Sequence, residues 1–401
     1  MKKSVLISMY SMNIGGAERS LIGLLESFDS TLFDIDLFLY RQEGEFLGLV
    51  PKKINLLRSI TEYTTFERPI KDVLKEGHYY LGCMRILAKV IAKYASLNKS
   101  NCTYKQMQYT WELSMPKLPK LEKKYDLAIS FLGPHNFILD KVDADIKIGW
   151  NHTDYFTIVN PDRKIDEKMW GKLDYIVNVS KDCEDSFLKV FPSLRHKSIV
   201  IENILSAEFV REQSNYNIKD EMPDDGTIKI CSVGRFSEAK GFDLAVIACK
   251  KLVDLGYKLR WYIVGYGGDE KYIKQLIKDN EIGENFILLG KKVNPYPYIK
   301  ECDVYCQPSR YEGKAVTVRE AQILGKPVVI TRYPTSNSQV CDGIDGIITS
   351  IGIDGIVEGI RKIIDNKDLR EKLILKTLNT DYSNRGEINK IYSLLKIMLT
   401  A

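Results

Sequence analysis

The sequence predicts an α/β protein built of two Rossmann-like, doubly wound parallel-sheet domains facing a central cleft. Three observations lead there. Short apolar runs alternate with helical patterns of about 10–15 residues, the rhythm of βαβ units and parallel sheets. The alternation comes in two separate series within 401 residues, a length suited to two or three domains. Between the series lies a polar stretch, residues 206–227, which carries Pro223, has no sustained periodicity and reads as a linker.

Taken in order, the first series opens with "KSVLISMY" as a strand, "AERSLIGLLESF" as a helix and "FDIDLFLY" as a strand. A mostly helical insertion at about residues 71–124 follows. "YDLAISF", "IKIGW" and "DYIVNVS" are then strands, "CEDSFLKVF" a helix and "SIVIEN" a strand, so that the first domain spans 1–205. The second domain, 228–380, alternates "IKICSVG", "LRWYIVG", "FILLG", "DVYCQPS", "VVIT" and "GIITS" with helical segments such as "FDLAVIACKKLVDLG". The remainder, 381–401, holds the amphipathic helix "GEINKIYSLLKIML", which either packs on the second domain or crosses back to the first.

Composition narrows the class. Hydrophobic residues make up 44% and charged residues 28%, as in an ordinary globular protein. A net charge of +5 is too small to argue for nucleic acid, and no recognition motif accompanies it. Eight cysteines are scattered without a CxxC, and only four histidines are present, so no metal site is expected and the thiols are expected to be reduced. Asp34 with Asp36, and Asp143 with Asp145, begin strands and read as exposed strand entries, not metal ligands. The apolar run after Lys2–Lys3 is too short for a signal sequence, and no run reaches the ~18 apolar residues of a spanning helix. The expected location is cytoplasmic, including peripheral attachment at the inner face of the plasma membrane.

The segment "YEGKAVTVREAQILGKPVVIT", 311–331, places Glu312 and Glu320 eight residues apart. At ~100° per residue that is roughly 80° out of helical register, so the pair does not form one helix surface. Val304–Cys306 reads as the end of a buried strand, 307–313 as a loop, and 317–324 as a helix stopped by Gly325 and Pro327. Glu312 then lies at a strand's C-terminal end and Glu320 inside the following helix. Free amides at such a helix start bind anions, and open α/β sheets hold ligands at such crevices.

Three further junctions follow the same plan. In "SVGRFSEAKGFDLAV", Arg235 and Lys240 stand either as two solvated cations or as a clamp for a diphosphate whose charge grows as it leaves. In "WYIVGYGGDE", Gly265, Gly267 and Gly268 make either a tight turn or a phosphate approach. In "MYSMNIGGAERSL", Gly15 and Gly16 permit either a turn or close approach of a ligand to a helix start. His152, just past the strand in "IGWNHTDY", is either structural or a donor to a substrate hydroxyl or phosphate.

Together, Gly15-Gly16-Ala17-Glu18, Arg235 with Lys240-Gly241, and Glu312-Gly313 with Glu320 resemble, in order and spacing, the retaining GT-B glycosyltransferases of the GT4 type, with their E-x7-E motif. The likeness spans nearly the whole chain and is strongest over 228–346. The stretch after Glu312 is most similar to the branch that builds bacterial capsular, exopolysaccharide or related envelope glycans. The resemblance implies that Arg235 and Lys240 bind the donor diphosphate, with the amides of Gly313, Lys314, Ala315 and Val316 capping the same phosphates. It implies that Glu320 holds the ribose, that Glu312 contacts the donor sugar near the reacting carbon, and that Lys292–Val293 lies by the base. Gly16 would approach the diphosphate, and His152 would lie near the sugar. No cofactor or metal is implied; the donor is a nucleotide diphosphate sugar, with UDP placed ahead of GDP. Many relatives carry an aromatic residue where this chain has Lys314, so their sugar-specificity rules do not transfer.

Residues 71–124 hold eleven Lys or Arg against four Asp or Glu, a net of +7. Within "YYLGCMRILAKVIAKYASL", Arg85, Lys89 and Lys93 follow at i, i+4 and i+8, with Met84, Leu87, Ile91 and Tyr94 on another side. Such a helix either rests on an anionic bilayer, which suits a lipid-linked saccharide acceptor, or packs on its own domain. The competing functions are a non-catalytic nucleotide-sugar-binding relative or partner subunit, and a nucleotide-sugar epimerase on the same fold.

Overall fold

The computed structural model describes residues 2–96 and 102–395. The chain divides into two compact units, 1–204 with 386–401, and 205–385. Each is a parallel sheet flanked by helices, so the expected pair of Rossmann-like sheets is present.

In the first unit the strands are β1 (Lys3–Met9), β2 (Phe33–Leu39), β3 (Asn55–Leu56), β4 (Lys124–Ser130), β5 (Asp143–Asn151), β6 (Tyr175–Asn178) and β7 (Ser198–Val200). Their order is β3-β2-β1-β4-β5-β6-β7, with every pair parallel. Helices cover both faces, which is why β1 reads as a continuous apolar run: Val5, Leu6 and Ile7 are all fully buried. Each such side chain contributes about 1.5–3 kcal/mol by leaving water. Asp36 ends up buried in β2, bound by Asn55, Lys123 and the Tyr125 hydroxyl, while Asp34 is exposed as expected.

The insertion between β3 and β4 is helical, with Ile70–Lys75, Tyr79–Ala95 and Thr103–Ser114. The Tyr79–Ala95 helix buries small residues, Gly82, Ala88 and Ala92, and packs closely against its neighbours. Arg85 differs from expectation. Its guanidinium donates to the carbonyls of Thr65 and Arg68, both at 2.6 Å, so it belongs to the packed side and not to a solvated basic row. Lys89 and Lys93 are exposed. The last described helix, Ile388–Leu394, belongs to the first unit. Tyr392 stacks on Phe33 with ring centroids 4.8 Å apart, and its hydroxyl accepts from the Asp29 amide at 3.0 Å.

The second unit contains β8 (Ile228–Val233), β9 (Leu259–Val264), β10 (Phe286–Gly290), β11 (Val304–Gln307), β12 (Val328–Thr331) and β13 (Ile347–Thr349). The order is β10-β9-β8-β11-β12-β13, again all parallel. Gly325, with φ +71°, ends the helix before β12 in the left-handed conformation that glycine tolerates. Residues 206–227 are not a free linker. They form the helix Ala207–Gln213, capped by the Ser206 hydroxyl, and bury Val210 and Met222 in the core of this unit. Isolated apolar residues in a polar stretch carry too little periodicity to announce such packing. Among the described residues no helix is long and apolar enough to cross a membrane.

Candidate functional site

In the second sheet the chain leaves β8 toward one edge and β11 toward the other, which makes the gap between these neighbours the topological switch point. Two loops rise there, 234–241 and 308–315. They meet at Gly241, whose φ is +65° and where a Cβ would stand 2.1 Å from the Pro308 carbonyl oxygen. Only glycine satisfies both demands. Arg310 ties the loops further. Its guanidinium grips both Asp243 oxygens at 2.7 and 2.6 Å and donates to the Glu238 carbonyl at 2.9 Å.

Glu312 is held at this junction. Its Oε1 accepts from Lys240 Nζ at 2.5 Å, Ser309 Oγ at 2.6 Å and Gln307 Nε2 at 3.1 Å. Gln307 is itself fixed, its Oε1 accepting from the Tyr305 hydroxyl at 2.8 Å and Thr317 Oγ1 at 3.2 Å. Thr335 donates to the Glu312 carbonyl at 3.0 Å. Glu312 is only 8% exposed, and a carboxylate that far from water persists when a cation and several donors compensate it.

Arg235 differs from its partner in the sequence motif. It is exposed, and among the described residues its guanidinium has no hydrogen bond or ion pair. The helix Val316–Ile323 begins beside Glu312 with no side-chain cap and no acidic residue in its first turn. Its leading amides therefore keep their donor capacity and the positive end of the dipole. A Cβ at Gly313 would meet nothing within 4 Å, so packing does not dictate that glycine. Lys314 is half-buried.

The remaining residues singled out in the sequence stand as follows. Glu320 is wholly buried and accepts from the Tyr296 hydroxyl at 3.1 Å. Lys292 is paired with Glu221 and lies 5.6 Å from the Tyr298 ring centroid, so its ammonium is already engaged; Val293 is exposed. Gly265 has a packing reason, because a Cβ there would fall 1.8 Å from the Gly234 carbonyl oxygen. In the first unit Gly15 caps the helix Gly16–Ser27 in extended conformation, with Glu18 in the first turn. His152 follows β5, its ring 4.6 Å from that of Phe131, and burial lowers its pKa to about 4.

Gln307, Ser309, Thr335 and the Arg310–Asp243 clasp were not singled out in the sequence. The available signal was the run Gln307-Pro308-Ser309, polar and directly ahead of the glutamate at the end of a buried strand.

Residues 214–379 match the family described as glycosyl transferases group 1. Among curated proteins, the chain is 27% identical over 243 residues to an uncharacterized glycosyltransferase of Methanocaldococcus jannaschii, covering 59% of each. It is 28% identical over 167 residues to the O-antigen biosynthesis glycosyltransferase WclY of Escherichia coli, covering 41% of this chain and 45% of that one. The chain thus spans roughly half the length of these relatives. Among solved structures, HepE of Anabaena in complex with UDP and glucose aligns with a TM-score of 0.70 at 14% identity, over 99% of this chain and 100% of that one. This likeness carries the fold, the two-sheet GT-B architecture, while the residues that match the family model include Lys240 and Glu312.

Proposed function

We propose that the protein is a retaining glycosyltransferase that moves a hexosyl-type group from a nucleotide diphosphate sugar to a saccharide acceptor in bacterial surface polysaccharide synthesis. The observation that carries this reading is the Lys240–Glu312 pair at the second sheet's switch point, with exposed Arg235 and the uncapped helix start at Val316 beside it. Two cations and a set of free amides suit a diphosphate; a fixed carboxylate suits the hydroxyls of the sugar attached to it.

In this reading the bond from the anomeric carbon to the phosphate oxygen breaks while the acceptor oxygen bonds to that carbon on the same face. The acceptor's proton passes to the departing phosphate. Arg235, Lys240 and the amides of 313–316 stabilise the charge gathering on the diphosphate. Glu320 is assigned the ribose and Lys292–Val293 the base. For Glu320, its complete burial makes the role conditional on local opening. Uridine is preferred as the base, supported by the UDP-bound relative; His152 is assigned to the sugar.

A lipid-linked acceptor is supported by the Tyr79–Ala95 helix. Tyr79, Ile86, Leu87, Val90 and Tyr94 are each at least 41% exposed and fall within an arc of roughly 100°, with exposed Lys89 and Lys93 beside it. An apolar stripe edged by lysines suits an anionic bilayer surface.

Calorimetric titration with UDP, GDP and their sugar conjugates tests the donor reading. One base should bind. Arg235→Ala should weaken it about tenfold at unchanged melting temperature, since this side chain supports nothing in the fold. Absence of binding by every nucleotide to the folded protein would overturn the proposal.

A further inference from the structure

Two ion pairs hold the 308–315 loop to the segment 234–243, and they are built differently. Arg310 grips Asp243 through two parallel bonds and spends a third on the Glu238 carbonyl, a geometry that fixes both partners. Lys240 and Glu312 share a single bond, at 2.5 Å. Among the described residues the Lys240 ammonium makes no other hydrogen bond, so two of its three donors are unspent. Its side chain is 22% exposed, and its stem passes Gly234, where a Cβ would stand 3.4 Å from Cδ and Cε.

The pair can part without undoing the loop. Glu312 Oε1 accepts from three donors, one more than its lone pairs take singly, so Ser309 and Gln307 still fill it when Lys240 leaves. Glu312 Oε2 takes no hydrogen bond among the described residues and is not sealed from solvent. A lysine ammonium is a compact charge on a flexible four-carbon stem, so it turns to a new anion without moving the backbone. What Glu312 then loses is its counter-charge, and that loss sorts ligands.

On the glycosyltransferase reading, a diphosphate that draws Lys240 away stands beside a carboxylate left poorly compensated. An intact sugar nucleotide replaces the ammonium with sugar hydroxyls, which donate to the open oxygen. A spent nucleoside diphosphate brings no hydroxyl there and about one more negative charge on its terminal phosphate. Arg235, exposed and outside the pair, attracts both ligands alike.

We infer that the Lys240–Glu312 pair discriminates the intact sugar nucleotide from the nucleoside diphosphate it leaves behind. The donor opens the pair and its hydroxyls compensate Glu312; the product is displaced as the pair re-forms. Glu312 thus acts on the diphosphate through Lys240, and the inference rests on the glycosyltransferase reading.

Calorimetric titration of the full-length protein tests it, with UDP and GDP beside UDP-glucose, UDP-N-acetylglucosamine and GDP-mannose. Glu312→Gln keeps an acceptor for Ser309 and Gln307 and removes the charge, so the melting temperature should stay close to that of the wild type. The variant should bind the bare diphosphate about tenfold tighter, because a like charge has gone and Lys240 is released. Its preference for the sugar conjugate over the diphosphate should fall by about tenfold or more, the loss of a charged acceptor. In a Lys240→Met background the same change should tighten the diphosphate much less, since no ammonium remains to be released. A purely structural role would lower the melting temperature and weaken both ligands. Unchanged or weaker diphosphate binding in Glu312→Gln, equal tightening of both ligands, or the full gain without Lys240 would overturn the inference alone, given nucleotide binding by the wild type. Absence of all nucleotide binding by the folded wild type would overturn the reading beneath it as well.

Discussion

The two switch points of this molecule are built from opposite materials. In the second unit the centre is a bonded carboxylate, with Arg235 left exposed in the same loop as Lys240: Glu312 Oε1 alone accepts from Lys240, Ser309 and Gln307. At the first unit's switch point, between β1 and β4, a cavity is walled largely by aromatic rings, and its Asp166 accepts from the hydroxyls of Tyr104 and Tyr155 and from Gln108. The same crevice that a doubly wound sheet leaves is thus lined by an ion-paired cluster in one unit and by aromatic rings in the other. The difference also predicts which site the fold depends on. Cutting a satisfied network exposes its remaining members, whereas removing an unpaired atom leaves nothing stranded.

The largest expected effect follows from that asymmetry. Glu312→Ala strands Lys240, Ser309 and Gln307 and should destabilise the second unit by roughly 3 kcal/mol, as broken buried pairs do. It should also lower transfer by about a hundredfold or more. Denaturant unfolding and a nucleotide-release assay measure the two. A loss of transfer at full stability would mean that the network is not structural and would break the comparison. Next comes Gly265→Ala, which forces a Cβ against the Gly234 carbonyl. A cost of about 1–3 kcal/mol is expected, read from the unfolding midpoint. A neutral result would reopen a ligand-facing role for that glycine.

The smallest effect is one of pH, and it separates the units. All four histidines lie in the first unit. Burial lowers His135 to about 3 and His152 to about 4, below the ~6.5 of an unfolded chain. As pH falls through ~6.5 the unfolded state takes up protons first, so stability is complete above that value and declines toward pH 4. His135 and His152 each contribute a slope of up to ~1.4 kcal/mol per pH unit. Asp166, raised by burial, acts in the opposite sense. His135→Asn should therefore flatten the decline between pH 6 and pH 5 in unfolding experiments. The unfolding signal of Trp261, in the second unit, should move little with the change.

Much of this architecture was legible in the residues. Strands covered on both faces must be apolar throughout, and runs such as that of β12 announce themselves. The Glu312 loop was legible because a strand end, a glycine and an uncapped helix start fall within a dozen residues. The cavity was not. Tyr10, Trp111, Trp150 and Trp170 come from distant parts of the chain, and no local spacing relates them; only the sheet order brings them together. Arg85 was misread for a related reason, since helical periodicity reports which side a residue is on and not which carbonyls wait there. The polar stretch 206–227 hid a core contribution because Val210 and Met222 are too few to set a rhythm.

The helix Ile388–Leu394 bears on how the protein is made. Its Tyr392 closes a hydrophobic cluster around Phe28 and Phe33, yet the two parts are separated by the whole second unit. That unit is continuous in sequence and already joined at its ends, where the Leu205 amide donates to the Ser383 carbonyl at 2.8 Å. On a ribosome the half that emerges first must wait for the last segment to be translated before its core is sealed. The half that emerges second has every residue it needs before then. Order of synthesis and order of completion are therefore reversed in this chain.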